Sequence, residues 1–375
     1  MTVYLDCAAT TPVEAEVLDI VMHYMRDEFG NAGSRTHEFG ARGKQAVEHA
    51  RGQVAKVVAC GKDEVLFTSG ATESNNLALL GIAAHGEQTE RKHIISTSIE
   101  HKAVLEPLDY LKGRGFEITL IAPDSSGRIN ADHILAAVRP DTLLVSVMHA
   151  NNETGIIQPI EEIAAGIPAT VLLHVDAAQT FGKLNTPLQN ARIDLISISG
   201  HKIFGPKGVG ALISRRRNGT RPALKPLMFG GGQERGLRPG TQPVHLLAGL
   251  GMASEIALRD HAKRLQSCLL SREEILIGLA CLGAAINGNP EYSLPHIVNV
   301  SFNGIDSEAA IVALKGIVAI SNGSACTSSS YEPSHVLVAM GIDQKTIESA
   351  LRFSWCHLTE SADWNTVSKR LGILT

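Results

Sequence analysis

Two short stretches decide the architecture: ATVLLHVDAAQ, residues 169–179, and DLISISGHK, residues 194–202. Each is a nearly continuous run of aliphatic and β-branched residues that ends on small or charged ones. A strand with one wet face alternates apolar and polar positions; a strand covered by helices on both faces does not. Working outward, the same pattern returns. EVLFTSG leads into a helical stretch through NNLALLGIAAH, KHIISTS leads into HKAVLEPLDYLKGRG, and TLLVSVMHA and GVGALIS read as further strands. Short apolar strands alternating with helices predict βαβ units and a mainly parallel sheet, here over about residues 14–260. Four of these strands end in TSGATES, HANNETG, HVDAAQ and SISGHK. In an open α/β sheet ligands bind beyond the carboxyl ends of the strands, so the four segments are expected to meet at one crevice.

Past the glycine-rich FGGGQERGLRPGTQP (229–243), a helical stretch over about 244–280 precedes a new series, HIVNVSFNGI, GIVAISNGSACT and TIESALRFSW. These predict a second, smaller α+β domain made of residues 261–375 together with 1–13. It carries the segment SNGSACTSSSYEP (321–333), in which one thiol, Cys326, stands among residues too small to pack around it. The expected fold class is thus α/β, a large domain with a mainly parallel sheet and a smaller α+β domain.

The chain has 375 residues, 44% of them apolar, and a formal net charge of −4. Such a chain supports real cores and carries no basic field toward nucleic acid or a membrane surface. The opening MTVYLDCAATTP lacks the basic and apolar regions of a secretory leader, and no run is apolar for the length of a membrane span, so a cytoplasmic protein is expected. Six cysteines without a CxxC pair suit a reducing compartment. With no HExxH and no paired Cys/His spacing, no metal is assigned. The basic run RRRNGTR (215–221) reads as a solvated loop, and direct nucleic-acid binding is not expected.

Single motifs keep two readings each. In TSGATES (68–74), glycine frees a turn, and the hydroxyls of Thr72 and Ser74 at a helix N-terminus suit a phosphate as well as they suit plain capping. Asp176 at the end of so apolar a strand is costly to bury unless it meets a cation or strong donors, yet it also suits a cap on the next segment. Lys202, directly after its strand, is either solvated or a Schiff-base lysine. His101 in SIEHKAV and Asn151 and Asn152 in HANNETG sit at further strand exits. Cys326 acts only as a thiolate, which needs partial exposure and a cation or dipole. The other five cysteines read as structural.

Taken in order, TSGATESNN, EHKAVL, NNETG, HVDAAQ, SGHKIFGPKG, RPGTQPVH and NGSACT resemble the NifS/IscS-like cysteine desulfurases, which are fold-type I pyridoxal-phosphate enzymes of the class V aminotransferase group. The resemblance runs from YLDCAATTP to ALRFS. It implies pyridoxal 5′-phosphate as cofactor, bound covalently by Lys202, which also moves the substrate α-proton. Asp176 would pair with the pyridinium nitrogen, Gln179 with the ring's phenolic oxygen, and His101 would lie against the ring face. Thr72, Ser199 and His201 would hold the phosphate with Thr241 of a neighbouring subunit, which implies a homodimer. Asn152 and Arg352 would hold the carboxylate of the substrate L-cysteine, and Asn31, Arg35 and His37 match a segment near the site entrance. Cys326 would take the sulfur as a persulfide and carry it, on a travelling loop, to an acceptor protein. Other class V chemistries, such as transamination or selenocysteine lysis, share most of these residues; a sulfur-carrier or scaffold subunit shares them without turnover. Two departures stand out. Ala32 replaces a common proline, and after ALRFS this chain has WCHLTE, with Cys356 and His357, where the family usually has a Gly-Arg pair. The short C-terminus suits the DndA-like branch, which serves DNA phosphorothioation, as well as iron-sulfur assembly or thiolation.

Overall fold

The two strands that open the sequence analysis lie side by side and parallel at the centre of a seven-stranded sheet. The structure is a computed structural model and describes residues 2–322 and 333–374. In chain order the strands are β1 (Val3–Tyr4), β2 (Val65–Thr68), β3 (His93–Thr97), β4 (Glu117–Ile121), β5 (Thr142–Met148), β6 (Leu172–Asp176), β7 (Leu195–Ser199), β8 (Gly210–Ser214), β9 (Ala285–Ile286), β10 (Ile297–Ser301), β11 (Val318–Ala319) and β12 (Ala350–Ser354). The large sheet runs β2-β8-β7-β6-β5-β3-β4, parallel throughout except at β8, which is antiparallel to both neighbours. Of its strands, β4 was not among those read from the sequence: EITLI is partly exposed and short.

Helices α1 (Ala15–Arg26), α2 (Glu38–Val57), α3 (Ala71–Gln88) and α4 (Lys102–Lys112) come first, then α5 (Ala131–Ala136), α6 (Ile160–Gly166), α7 (Val244–Arg259) and α8 (His261–Cys281). The helical stretch expected over 244–280 is therefore two helices, broken at Asp260. One core cluster packs Val21 of α1 and Ala50 and Val54 of α2 with Leu250 and Ala253 of α7 and one face of the sheet; a second packs Leu77 and Ile82 of α3 with Val104 and Leu108 of α4 on Ile94, Leu144 and Leu212. Helices on both faces explain why β5 and β7 are buried along their whole length and why their sequences do not alternate. Each such Leu, Ile or Val contributes about 1.5–3 kcal/mol.

Polar residues inside this sheet are cross-strand pairs. His174 of β6 bonds Ser146 of β5 through Nδ1 (2.8 Å) and Ser197 of β7 through Nε2 (2.9 Å), while His93 of β3 bridges Thr142 and Thr119 in the same way. Burial pushes His174 down to about 4, so the ring stays neutral and one nitrogen donates while the other accepts.

A three-stranded antiparallel sheet, β12-β10-β9, has its own cluster, with Leu5, Val300, Phe353, Trp355 and Val367. The N-terminal residues join it: β1 pairs with β11, and Asp6 bridges to Ser354 at the end of β12. That pairing brings residues 6–9 to the sheet ends where the expected site residues sit.

Candidate active site at the strand ends

Nine of the residues expected from the sequence line one cleft of about 400 Å³: Thr72, His101, Asn152, Asp176, Gln179, Ser199, His201, Lys202 and Arg352. Each comes from the carboxyl end of a large-sheet strand or the segment after it, except Thr72, in the first turn of α3, and Arg352, which β12 supplies. The walls meet because the edge strands approach closely. A Cβ on Gly210 of β8 would lie 2.6 Å from the Cα of Gly70, so only glycine lets the TSG turn fold over the sheet. Gly70 itself takes φ 154°, ψ −178°, a region left almost entirely to glycine. The N-terminus of α3 thereby opens into the cleft. Thr72 is exposed there, and Ser74 is not: its Oγ is buried against Thr68 Oγ1 at 2.8 Å, so neither hydroxyl caps the helix.

Asp176 is buried and held as an acceptor. Asn75 Nδ2 donates to Oδ2 at 2.7 Å and the Ala178 N–H donates to Oδ1 at 2.9 Å. Lys202 Nζ donates to the backbone carbonyls of Ala8 and Ala9, the latter at 2.9 Å. Gln179 Nε2 also donates to the Ala8 carbonyl, at 3.0 Å. His101 caps α4 by accepting the Ala103 N–H on Nδ1 at 3.0 Å, and burial holds its ring below the ordinary imidazole value against the pull of Asp176. Burial also pushes His201 down to about 4, with Lys202 and Lys207 adding to the shift, so this ring too is neutral near pH 7.

Arg352 is almost wholly buried. It donates from Nη2 to Asp6 Oδ1 at 2.6 Å and from Nη1 to the Asn152 carbonyl at 3.0 Å. Asp6, Asn75 and the carbonyls of residues 8 and 9 were missed from the sequence. Asn75 was legible, lying one helical turn beyond Thr72 on the same face; a backbone carbonyl has no sequence signal. Glu100 was missed as well. Fully buried, it accepts from Thr97 Oγ1 (2.7 Å) and the Met148 N–H (2.9 Å), ties the loop before His101 to β5, and is pushed up by burial to about 8.

Other expected residues stand apart from the cleft. Asn31 and Arg35 are exposed, Asn31 Oδ1 accepting from the Gly33 N–H, and His37 caps α2 by accepting from the Gly40 N–H. Thr241 is exposed outside the cleft, and Cys326 lies outside the described residues. Asn151 is structural: it accepts from the N–H groups of Glu153 and Thr154 and donates to the Ile99 carbonyl. The run RRRNGTR is an exposed turn at Arg216 and over 218–220, and its arginines are paired. Arg215 is buried on the carbonyls of Val58 and Leu188, Arg216 and Arg221 pair with Asp63, and Arg217 pairs with Asp194. Among the described residues, no group of His, Cys, Asp and Glu is placed to hold a metal, and no helix is long and apolar enough to cross a membrane.

The family model for the aminotransferase class-V proteins matches residues 3–367. The chain belongs to this family. Within it, the chain is 44% identical over 382 residues to the cysteine desulfurase IscS of Serratia proteamaculans, covering 100% of this chain and 94% of that protein. A solved NifS-like protein superposes with a TM-score of 0.90 at 38% identity, covering 100% of this chain and 98% of the other. DndA from Streptomyces lividans superposes at 0.82 with 52% identity, covering 94% and 99%. These relatives place this class V chain among the cysteine desulfurases, with the fold-type I architecture and dependence on pyridoxal 5′-phosphate.

The cleft of this class V enzyme suits that cofactor. Two of its lining residues carry buried oxygens that no described residue satisfies, Asn75 Oδ1 and Gln179 Oε1. A buried carboxylate with fixed donors suits a protonated ring nitrogen, and a helix N-terminus flanked by the hydroxyls of Thr72 and Ser199 suits a phosphate. The one acid in the way, Glu73, is neutralised by Arg238 at 3.0 Å.

Proposed function

We propose that the cleft removes sulfur from L-cysteine, that Cys326 takes it as a persulfide, and that L-alanine is the other product. The observation that carries this reading is convergence: a strand-end carboxylate, a strand-end lysine, a neutral histidine and a buried arginine share one cleft. Lys202 binds the cofactor, exchanging the carbonyls of Ala8 and Ala9 for it, and afterwards moves the substrate α-proton. Asp176 faces the ring nitrogen, its charge fixed by Asn75 and Ala178. Gln179 keeps a second Nε2 hydrogen for the ring oxygen. Thr72, Ser199 and neutral His201 hold the phosphate. The bound cofactor supplies an electron sink for the carbanion formed at the substrate α-carbon.

Arg352 and Asn152 hold the substrate carboxylate, with Asp6 fixing the orientation of the guanidinium; a planar fork is the side chain suited to that task. His101, kept neutral by burial, is able to take the proton of the substrate thiol and return one. The Cys326 thiolate attacks the substrate sulfur. An S–S bond forms, the C–S bond breaks, and the electron pair left on carbon is protonated to give alanine.

The chain works as a homodimer in which Thr241 completes the partner's phosphate site and Asn31, Arg35 and His37 lie near a site entrance. Thr241 follows a surface segment with Phe229 89% exposed, which suits burial against a second copy. Residues 14–260 form the cofactor-binding domain, and residues 1–13 with 261–375 the smaller one. The protein is cytoplasmic, and its sulfur acceptor is a protein. The 52% identity to DndA favours the DndA-like branch, hence delivery toward DNA phosphorothioation over iron-sulfur assembly or thiolation. Incubating the purified holoenzyme with L-cysteine tests the activity: equimolar alanine and reducible sulfur support it, and transfer of the amino group to a 2-oxo acid in place of alanine formation refutes it.

A further inference from the structure

A second cavity, of about 160 Å³, has walls of Phe204, Leu265, Leu294 and Trp355, yet it also holds Lys183 and the thiols of Cys7, Cys268 and Cys356. Nothing in the proposed reaction uses it. His296 is buried, and the half-buried Lys183 faces it, Nζ to Nε2, at 3.3 Å. Burial lowers the pKa of Lys183, and an anion beside it acts in the opposite sense.

The fold supplies one by pairing the N-terminus with the end of β12. Asp6 bridges to Ser354, the Cys7 N–H donates to the Ser354 carbonyl at 3.0 Å, and the Ser354 N–H donates to the Leu5 carbonyl at 2.8 Å. This register sets Cys7 against Cys356, and with Phe204 they form a small buried cluster of their own. The Thr359 hydroxyl donates to the Cys356 sulfur at 3.7 Å and accepts from the Cys356 N–H at 2.9 Å. The Cys356 thiol is lowered from its ordinary value, chiefly by the neighbouring Cys7 thiol, with the Leu358 backbone, Thr359 and Lys183 acting the same way against burial. Cys7, its neighbour, is raised. The two sulfurs are thus buried neighbours that line one cavity, and Cys356 is the one whose surroundings favour the thiolate. The turn that does this, WCHLTE, is the segment in which the chain departs from the family pattern.

We propose that Cys7 and Cys356 form a redox-active dithiol that hydrogen peroxide oxidises to an intramolecular disulfide. The Cys356 thiolate attacks a peroxide oxygen: an S–O bond forms, the O–O bond breaks, and Cys356 becomes a sulfenic acid while hydroxide leaves and takes up a proton. The Cys7 sulfur then attacks the sulfenic sulfur. An S–S bond forms, the S–O bond breaks, and water leaves with the Cys7 proton. Two thiols and one peroxide give one disulfide and two waters. The pair adjoins the active cleft on both sides: Asp6, which orients Arg352, precedes Cys7, and Ala8 and Ala9, which hold Lys202, follow it.

The experiment uses the full-length holoenzyme without L-cysteine. It is exposed to hydrogen peroxide, alkylated, digested and mapped by mass spectrometry, with dithiothreitol reversal as control. The expected result is a cross-linked peptide pair joining Cys7 to Cys356, with alkylation lost at both sites together and regained on reduction. In Cys7→Ser, dimedone is expected to trap the sulfenic acid on Cys356; in Cys356→Ser, Cys7 is expected to stay reduced at the same dose. The proposal is overturned if wild-type Cys7 and Cys356 stay fully alkylatable at doses that oxidise Cys281, or if Cys356 cross-links to Cys268 in place of Cys7.

Discussion

The cleft and the thiol cavity share one N-terminal segment, and each contains a lysine, but they are built for opposite ends. In the cleft Lys202 rests on two backbone carbonyls, near a carboxylate with fixed donors and two unsatisfied buried oxygens. In the cavity Lys183 is half-buried among apolar walls, three thiols and the side chains of His261, Arg264, His296 and His357. The first arrangement is polar and unfinished, as a site awaiting a charged ligand must be; the second is nearly satisfied and offers one reactive sulfur. The lesson is that residue type does not assign a role. Surroundings decide whether a lysine is a nucleophile or a counter-ion.

Substituting the two lysines in parallel breaks that comparison most sharply. Lys202→Ala is expected to lower alanine formation by about 10³-fold or more, in line with loss of a covalent catalytic group, and to abolish the cofactor's lysine-linked absorbance. Lys183→Met, of similar volume, is expected to leave kcat within about threefold, since small effects follow when no contact to the reacting atoms is lost. Equal losses in the two variants would erase the distinction. Next in size, Asp176→Ala is expected to cost about 10²–10³-fold in kcat, as removal of a preorganised electrostatic partner does, with cofactor retained at saturating concentration. Arg352→Lys keeps the charge and loses the fork. KM for L-cysteine is then expected to rise about 10-fold, the equivalent of one charge-assisted hydrogen bond, with a smaller change in kcat; an unchanged KM would place the substrate carboxylate elsewhere.

The smallest effect concerns stability. In the unfolded chain imidazoles take up a proton near pH 6.5, whereas in the fold His174 does so only at about 4 and His149 at about 3, both because of burial. Between those values the unfolded state binds more protons, so stability falls as pH drops from about 6.5 toward 4, by up to about 1.4 kcal/mol per pH unit for each histidine. Denaturant titrations across that window check the slope. His174→Gln, which still reaches its serine neighbours, is expected to flatten the slope by one histidine's share.

The sequence made much of this legible, and the limits are physical. Doubly covered strands advertise themselves by losing alternation, so β2, β3, β5, β6, β7 and β8 and the cleft at their ends were readable, while β4, at a sheet edge and half exposed, was not. Lys202 and Asp176 stood out as charges at the ends of apolar strands, and the family resemblance chose between their two readings. Asp6 and Cys7 were not, because their partners, Arg352 and Cys356, lie more than 340 residues away and meet them only through the pairing of the N-terminus with β12. The ion pairs of the exposed run 215–221 were hidden for the same reason. Its arginines look solvated in isolation and are paired with carboxylates and carbonyls that the sequence keeps far from them.

The central claim is that the cleft frees sulfur and Cys326 receives it. The most direct measurement is intact and peptide mass spectrometry of the holoenzyme after L-cysteine, in wild type and in Cys326→Ser. One added sulfur atom on the Cys326 peptide of the wild type, none on any peptide of Cys326→Ser, and undiminished cofactor binding in that variant is the predicted result. Sustained persulfide on another cysteine, or unchanged alanine production by Cys326→Ser, would contradict it.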